Sequence, residues 1–290
     1  MDEPELRETT KQAEHKHWRF TIAHSFALVI LFAVLQLWIY WVIDRVSGLK
    51  PEQLRWYHFC VLNGIAGGIT LAVGAYMNDF SLHSMLLDHL PKLTGIFGGI
   101  FAVIGIAILS SEFNNILNHY FPIPTDTQII DSLMQDDLLG VFITVLLVAP
   151  IVEEMLFRGI ILEGLARHYK LATAVLTSSI LFALVHLPVG VIVALNIFFL
   201  ALFLAWVRLE SGSLLLCVIC HATFNAIPFV TTRIWKLDIP GFTTTAANNV
   251  VTFQPHWFDA LGFVLFVIGV IVLRFLNHSE TKISPSDQGE

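Results

Sequence analysis

The sequence predicts an all-α fold, a polytopic membrane helical bundle of about eight transmembrane helices. Hydrophobic residues make up 56% of the 290 residues and charged residues 13%, and the mean hydropathy is +0.72. This is more apolar side chain than a soluble core of that size can bury. Apolar runs of about 20 residues, enough to cross a bilayer core about 30 Å thick, recur along the chain. Most charged side chains lie in the tails and in the connections between these runs.

Eight apolar runs define the predicted domain organisation. They cover approximately 20–43, 57–77, 94–110, 138–158, 171–187, 189–209, 212–231 and 257–276. The first run is longer than a signal-peptide core, and no small-residue cleavage site follows it, so we expect a retained span. We therefore predict a cytoplasmic N-terminal tail at 1–19, a transmembrane helical domain at 20–276 and a C-terminal tail at 277–290.

The distribution of charge predicts the orientation and the surroundings of the chain. With eight spans both termini lie on one side, and that side carries most of the Lys and Arg residues. The positive-inside rule then places both termini in the cytoplasm. The connection 111–137 contains acidic residues but no Lys or Arg, as expected of an external loop. The net charge of −7 favours no nucleic-acid partner. We expect a multi-pass protein surrounded by membrane lipids, in a bacterial cytoplasmic membrane.

Glycines at four-residue spacing predict close packing of membrane helices. They occur as Gly64 and Gly68 in the second run and as Gly95 and Gly99 in the third. Small residues at this spacing allow two helix backbones to approach each other closely. We therefore expect these four glycines to face neighbouring helices.

Two adjacent carboxylates and an arginine lie deep in the fourth run. A charged side chain at mid-bilayer costs about 2.5–3.5 kcal/mol on insertion scales, so each needs a partner or a function. Glu154 and Arg158 are four residues apart, share a helix face and can neutralise each other. Glu153 points about 100° away and lacks such a local partner, which makes it the better candidate for chemistry. The alternative is that both carboxylates reach the cytoplasmic interface.

A single histidine lies near the end of the fifth run. Taken alone, His186 is more typical of packing or of an interface than of catalysis. If the fourth and fifth runs form a hairpin that turns near Tyr169 and Lys170, Glu153 lies sixteen residues before the turn and His186 sixteen after it. At 1.5 Å per residue, both would sit about 25 Å from the turn. We therefore expect the carboxylate and the imidazole to meet.

The seventh run contributes His221 and Asn225, four residues apart on one helix face. One interpretation is hydrogen bonding between helices. A second is hydrolysis, in which a carboxylate and a histidine activate water while the other histidine and the amide stabilise an oxyanion. A third is metal-assisted hydrolysis, with His186, His221 and Glu153 or Glu154 binding a divalent metal such as zinc. The last two both predict amide hydrolysis, and the sequence leaves metal dependence open.

Three short motifs follow one another on these apolar runs. They are Glu153-Glu154-x-x-x-Arg158, Phe182-x-x-x-His186 and His221-x-x-x-Asn225. In this order they resemble the CAAX-protease and bacteriocin-processing (Abi) family of intramembrane peptidases, over roughly 138–230. The resemblance implies an endopeptidase whose Glu153 and His186 activate water and whose His221 and Asn225 hold the oxyanion, with Glu154 beside them. It also implies a peptide or protein substrate, membrane-anchored in some members of the family.

Three alternatives stand beside these predictions. A scaffold could keep the fold and act by binding partners. A transporter could use the buried Glu and His as a proton relay, although no inverted repeat is visible. Finally, Cys217-x-x-Cys220-His221 fits the pattern for covalent haem attachment, but it lies within an apolar run, which favours packing.

Overall fold

A computed structural model describes residues 19–48, 55–87, 89–122, 138–243 and 251–276. Within these ranges the chain folds into helices joined by short connections, which confirms the all-α prediction. Six of the described helices are long and apolar enough to cross a membrane. The predicted C-terminal tail, all but the last residue of the N-terminal tail and most of the acidic connection lie outside the described residues.

Each of the eight predicted runs overlaps one helix. In chain order the helices are α1 (Ile22–Ser47), α2 (Trp56–Asn78), α3 (Leu82–Leu87), α4 (Leu93–Tyr120), α5 (138–166), α6 (Leu171–Leu184), α7 (Val191–Ser211), α8 (Leu214–Phe229) and α9 (His256–Ile271). Single π-helical segments, Val230–Ile234 and Val272–Leu276, extend α8 and α9. The short α3 was not predicted, and α6 is shorter than a full span.

Helix α5 is the most irregular helix of the bundle and the most enclosed. Its α-helical segments Leu138–Val141, Ala149–Glu154 and Glu163–Ala166 alternate with the π-helical segments Phe142–Val148 and Met155–Leu162. Pro150 has no N–H to donate to the preceding turn, which accounts for a break in the regular helix at this point. Helices α2, α6, α7 and α8 all contact α5, and the whole second π segment is buried. The bundle is therefore built around α5.

The glycine prediction was wrong for α2 and is confirmed for Gly99. Gly64 and Gly68 are exposed, and a Cβ added to either would meet nothing within 4 Å. It is Gly67 that faces α5, where an added Cβ would lie 2.3 Å from Cγ1 of Val152. A Cβ on Gly99 would lie 2.6 Å from a cysteine sulfur of α8. Spacing alone does not show which face of a uniformly apolar helix is covered by protein.

Helices α4 and α9 are in close antiparallel contact. A Cβ on Gly105 would lie 2.5 Å from the carbonyl oxygen of Gly262, and one on Gly269 would lie 2.5 Å from that of Gly98. Since no side chain fits between these backbones, the glycines fix the register of the two helices.

Candidate active site

The six residues predicted to form the site lie on α5, α8 and the turn after α6. Helix α5 carries Glu153, Glu154 and Arg158, and α8 carries His221 and Asn225. The remaining residue, His186, follows the end of α6 in a turn over 185–189.

Glu154 is the centre of a buried network. Arg158 Nη1 donates to Glu154 Oε1 at 2.8 Å, and His221 Nδ1 lies 2.7 Å from the same oxygen. The exposed fractions of Glu154, Arg158 and His221 are 0%, 1% and 3%. The predicted pairing of Glu154 with Arg158 is confirmed, and the contact with His221 is an addition that spacing along one helix could not show. Glu154 therefore links α5 to α8.

The Glu154 contact also determines which nitrogen of His221 is available. Because the carboxylate that binds Arg158 is an acceptor, Nδ1 of His221 donates to it. Nε2 is then the nitrogen that faces away from Glu154, with a lone pair in the neutral ring and a proton in the charged ring. A carboxylate that accepts from one ring nitrogen in this way fixes both the ring orientation and the tautomer.

Phe182 connects the two histidines and the arginine. Its ring centroid lies 5.0 Å from that of His186 and 5.7 Å from that of His221, nearly perpendicular to the latter. The Arg158 guanidinium lies over the same ring at 4.3 Å, and Phe157 packs against its edge. Phe182 is fully buried. The sequence identified Phe182 as part of a motif, but only the fold shows that three site residues contact its ring.

Glu153 is close to His221 and incompletely bonded. Its Oε2 lies 3.9 Å from His221 Nε2, too far for a direct hydrogen bond. This oxygen is buried, and no described residue donates a hydrogen bond to it. The side chain as a whole is 16% exposed. Its remaining lone pairs are therefore available to a small molecule that enters from the exposed side.

Among the described residues no hydrogen bond or ion pair joins His186 to Glu153, although the hairpin geometry predicts that the carboxylate and the imidazole meet. The reason is that α6 ends at Leu184, so His186 lies in a turn and its Nδ1 is 2.8 Å from the carbonyl oxygen of Phe182. Because a carbonyl only accepts, Nδ1 donates, and Nε2 of the neutral ring carries the lone pair. The half-buried ring thus presents an acceptor.

Asn225 is anchored to the first π segment of α5. Its Nδ2 donates to the carbonyl oxygen of Val145 at 3.1 Å. An amide nitrogen carries two protons, so the second N–H can still be donated to another group. A π segment leaves carbonyl groups outside the regular α-helical pattern, and Asn225 uses one of them.

The start of α8 is held by an ion pair outside the predicted set. Arg208, at the end of α7, donates to the Glu163 carboxylate of α5 and to the carbonyl oxygen of Gly212. Ser213 caps α8, since its hydroxyl accepts from the N–H of Leu216 at 3.3 Å. The residues Arg208 to Ser213 therefore position the helix that carries His221.

The metal and haem alternatives were compared with the side chains present. Among the described residues no group of three or more His, Cys, Asp or Glu side chains is arranged to hold a metal ion. Cys217 and Cys220 are fully buried free thiols. Covalent haem attachment does not fit, because neither sulfur is accessible and the adjacent histidine is already bonded.

Comparison with known proteins finds one similarity. Residues 135–227 match the sequence model of a family described as type II CAAX prenyl endopeptidase, Rce1-like. No curated protein and no solved structure matches the chain. The matched segment contains all six predicted site residues, confirms the resemblance seen in the motifs and supports a peptidase in general. Together with the six apolar helices, the match indicates an integral membrane protein whose segment 135–227 is similar to the Rce1-like CAAX endopeptidase family.

Proposed function

We propose that the chain is an intramembrane endopeptidase that hydrolyses a peptide bond with water activated by Glu153. The observation that carries the proposal is the contrast between two neighbouring carboxylates. Each carboxylate has a buried Oε2 to which no described residue donates a hydrogen bond. Glu154 is fully buried and its Oε1 is bonded to both Arg158 and His221, whereas the Glu153 side chain is 16% exposed. A partly exposed carboxylate with an unpaired oxygen is suited to binding and deprotonating a water molecule.

Glu153 is the general base in this mechanism, and His186 supplies a second acceptor for the same water. Among the described residues no hydrogen bond joins the two side chains, and one water could donate to both Glu153 Oε2 and His186 Nε2, neither of which accepts from a described residue. As the water oxygen attacks the carbonyl carbon, its proton moves to Glu153. Phe182 holds the imidazole in place, since its carbonyl fixes Nδ1 and its ring packs against the histidine.

His221 and Asn225 stabilise the oxyanion that forms on the attacked carbonyl. Asn225 offers the N–H that is not bonded to Val145. His221 offers Nε2–H in the doubly protonated ring, whose charge Glu154 and Glu153 balance from either side. Loss of one such donor typically costs about 10²–10³ in kcat. The Glu153 proton then passes to the leaving nitrogen and the C–N bond breaks, which gives a carboxylic acid and an amine; the acid then passes its proton to the amine, so the final products are a carboxylate and an ammonium group.

Side chains alone account for each step of this reaction. We therefore assign Glu154 and Arg158 to positioning, because their contacts with each other and with His221 fix the ring that faces the substrate. A substrate must reach a site buried among apolar helices, which favours a peptide that is itself anchored in the membrane. The family match makes a prenylated C-terminal CAAX peptide the first substrate to test.

The test uses the full chain in proteoliposomes and two readouts. The first is cleavage of a quenched fluorescent farnesylated CAAX peptide. The second, which assumes no substrate, is labelling of new N-termini in membranes that contain the wild type or a variant. We expect Glu153→Ala and His186→Ala to abolish cleavage, and His83→Ala, an exposed histidine on α3, to retain it. In H₂¹⁸O the new carboxylate should incorporate one ¹⁸O.

Two results would overturn the proposal. Cleavage that survives in correctly inserted Glu153→Ala protein would remove the general base from the mechanism. Identical N-terminal profiles in wild-type and Glu153→Ala membranes, with no cleavage of the CAAX peptide, would instead indicate a scaffold that retains the fold without proteolysis.

A further inference from the structure

A second polar cluster lies between α4 and α9, and within the described part of the chain it shares no hydrogen bond or ion pair with the candidate active site. It consists of Glu112 and Asn115 on α4, Gln254 just before α9 and Asp259 in the first turn of α9. Neither the motifs nor the proposed peptidase function uses any of these residues. By the predicted orientation, this end of the bundle faces outside.

The register of α4 and α9 brings these side chains to one level. Gly105 lies opposite Gly262, and a Cβ on Gly262 would lie 2.7 Å from Ile108 Cγ2. Because the helices are antiparallel, one turn further along α4 corresponds to one turn back along α9. Asp259 is therefore level with Ile108, one turn from Glu112.

Gln254 is directed into the same space by three contacts. Its backbone N–H donates to Glu112 Oε2 at 2.8 Å, and Asn115 Nδ2 donates to that oxygen at 2.9 Å. The Gln254 side chain turns towards α4, where Nε2 donates to the carbonyl oxygen of Ile108 at 3.2 Å. The carboxamide thus lies at the level of Asp259, and the residue is only 3% exposed.

Two buried oxygens in this cluster lack a donor. Gln254 Oε1 and Asp259 Oδ1 are both inaccessible to solvent, and no described residue donates a hydrogen bond to either. Leaving a buried acceptor unsatisfied is unfavourable, so two at one level point to a group that satisfies both.

Among the described residues, no Lys or Arg forms an ion pair with this cluster. Glu112 repels the Asp259 carboxylate electrostatically, and His256 is the group that attracts it. His256 is fully exposed, and its Nδ1 is 4.0 Å from Asp259 Oδ2. The neighbouring sequence segments 123–137 and 244–250 contain no Lys, Arg or His. Two carboxylates and a carboxamide oxygen therefore face one another with little opposing charge.

We propose that Glu112, Gln254 and Asp259 bind a hard divalent cation, Ca²⁺ by preference, between α4 and α9. The donors are carboxylate and carboxamide oxygens, the ligand types that Ca²⁺ takes, with no sulfur to favour a softer metal. The ion joins the end of α4 to the start of α9. It is a structural site separate from catalysis, so it stands or falls independently of the peptidase activity.

The experiment measures Ca²⁺ binding to the purified full chain by isothermal titration and the Tm with 10 mM CaCl₂ or with EGTA. We expect one Ca²⁺ per chain and, for a dissociation constant near 1 mM, a rise in Tm of about 3 °C. Asp259→Asn should weaken Ca²⁺ binding by at least about tenfold, because loss of even an outer-sphere partner typically costs about that much. The matched control is Asp238→Asn, an exposed acidic residue in the connection before α9, which should bind like the wild type.

Three results would contradict the site. The first is an absence of Ca²⁺ binding by the wild type, a result that does not depend on whether any variant folds. The second is equal binding by wild type and Asp259→Asn. The third is a pair of results: the Tm of the wild type does not respond to Ca²⁺, and the Tm of Asp259→Asn is higher than that of the wild type. This would mean that a protonated Asp259 donates to Gln254 and that no ion is bound.

Discussion

Replacing Arg158 by methionine tests the buried network most severely. Methionine keeps much of the length and volume of the side chain but removes its charge. The variant loses the donation to Glu154, a second donation from Nη2 to the carbonyl oxygen of Ala201 at 3.3 Å, and the contact with the Phe182 ring. Glu154 would then be a buried carboxylate with only His221 beside it.

The magnitude follows from the burial of both partners. Removing one member of a buried ion pair costs about 3–5 kcal/mol, because the other charge is left uncompensated. At about 2–4 °C per kcal/mol for a chain of this size, Tm should fall by roughly 10 °C. Adding Glu154→Gln removes the stranded charge, so the double variant should recover at least half of the loss.

The assay is thermal unfolding of the purified protein in detergent for the wild type, both single variants and the double variant. Arg45→Met, at the exposed end of α1, is the control and should change stability by less than about 0.5 kcal/mol. Additive effects of the two single variants would show that Glu154 and Arg158 are not coupled. A Tm unchanged by Arg158→Met would refute the buried network itself.

Three further outcomes are expected. Gly67→Ala should destabilise the protein by about 1–3 kcal/mol in thermal unfolding, because the new methyl group meets Val152. Gly68→Ala should be neutral or slightly stabilising, and equal effects of the two variants would contradict the helix packing. Phe182→Leu should lower kcat more than it changes KM in the peptide assay, since both histidines lose their contact with the aromatic ring. An unchanged kcat would show that Phe182 does not position the histidines. Asn225→Ala should reduce kcat about 10²–10³-fold with little loss of Tm, and a change confined to KM would argue against an oxyanion donor.

The sequence predicted those features that depend on local spacing. Apolar length located all eight helical regions, and the i, i+4 relation predicted the pairing of Glu154 with Arg158. Both follow from helix geometry alone. The π segments of α5 could not be predicted in this way, although Pro150 marks the break between the first of them and the regular helix that follows.

Contacts between helices were harder to predict, because they depend on rotation about each helix axis. Height along a hairpin suggested that Glu153 meets His186, but it did not show that α6 ends before the histidine. The structure places Glu153 nearer His221 and connects the two histidines through Phe182. The same limitation explains why Gly64 and Gly68 were assigned to a packed face that they do not share.

The kinetics of Glu153→Gln test the central claim most directly. The amide is nearly isosteric with the carboxylate but cannot take a proton from water, and it removes a buried, incompletely bonded charge. We predict that kcat for the peptide falls by at least about 10²–10⁴-fold, the contribution of general-base catalysis, while Tm stays the same or rises. Asp44→Asn on α1 is the control for loss of one acidic charge. A folded Glu153→Gln protein that cleaves the peptide at the wild-type rate would contradict the account.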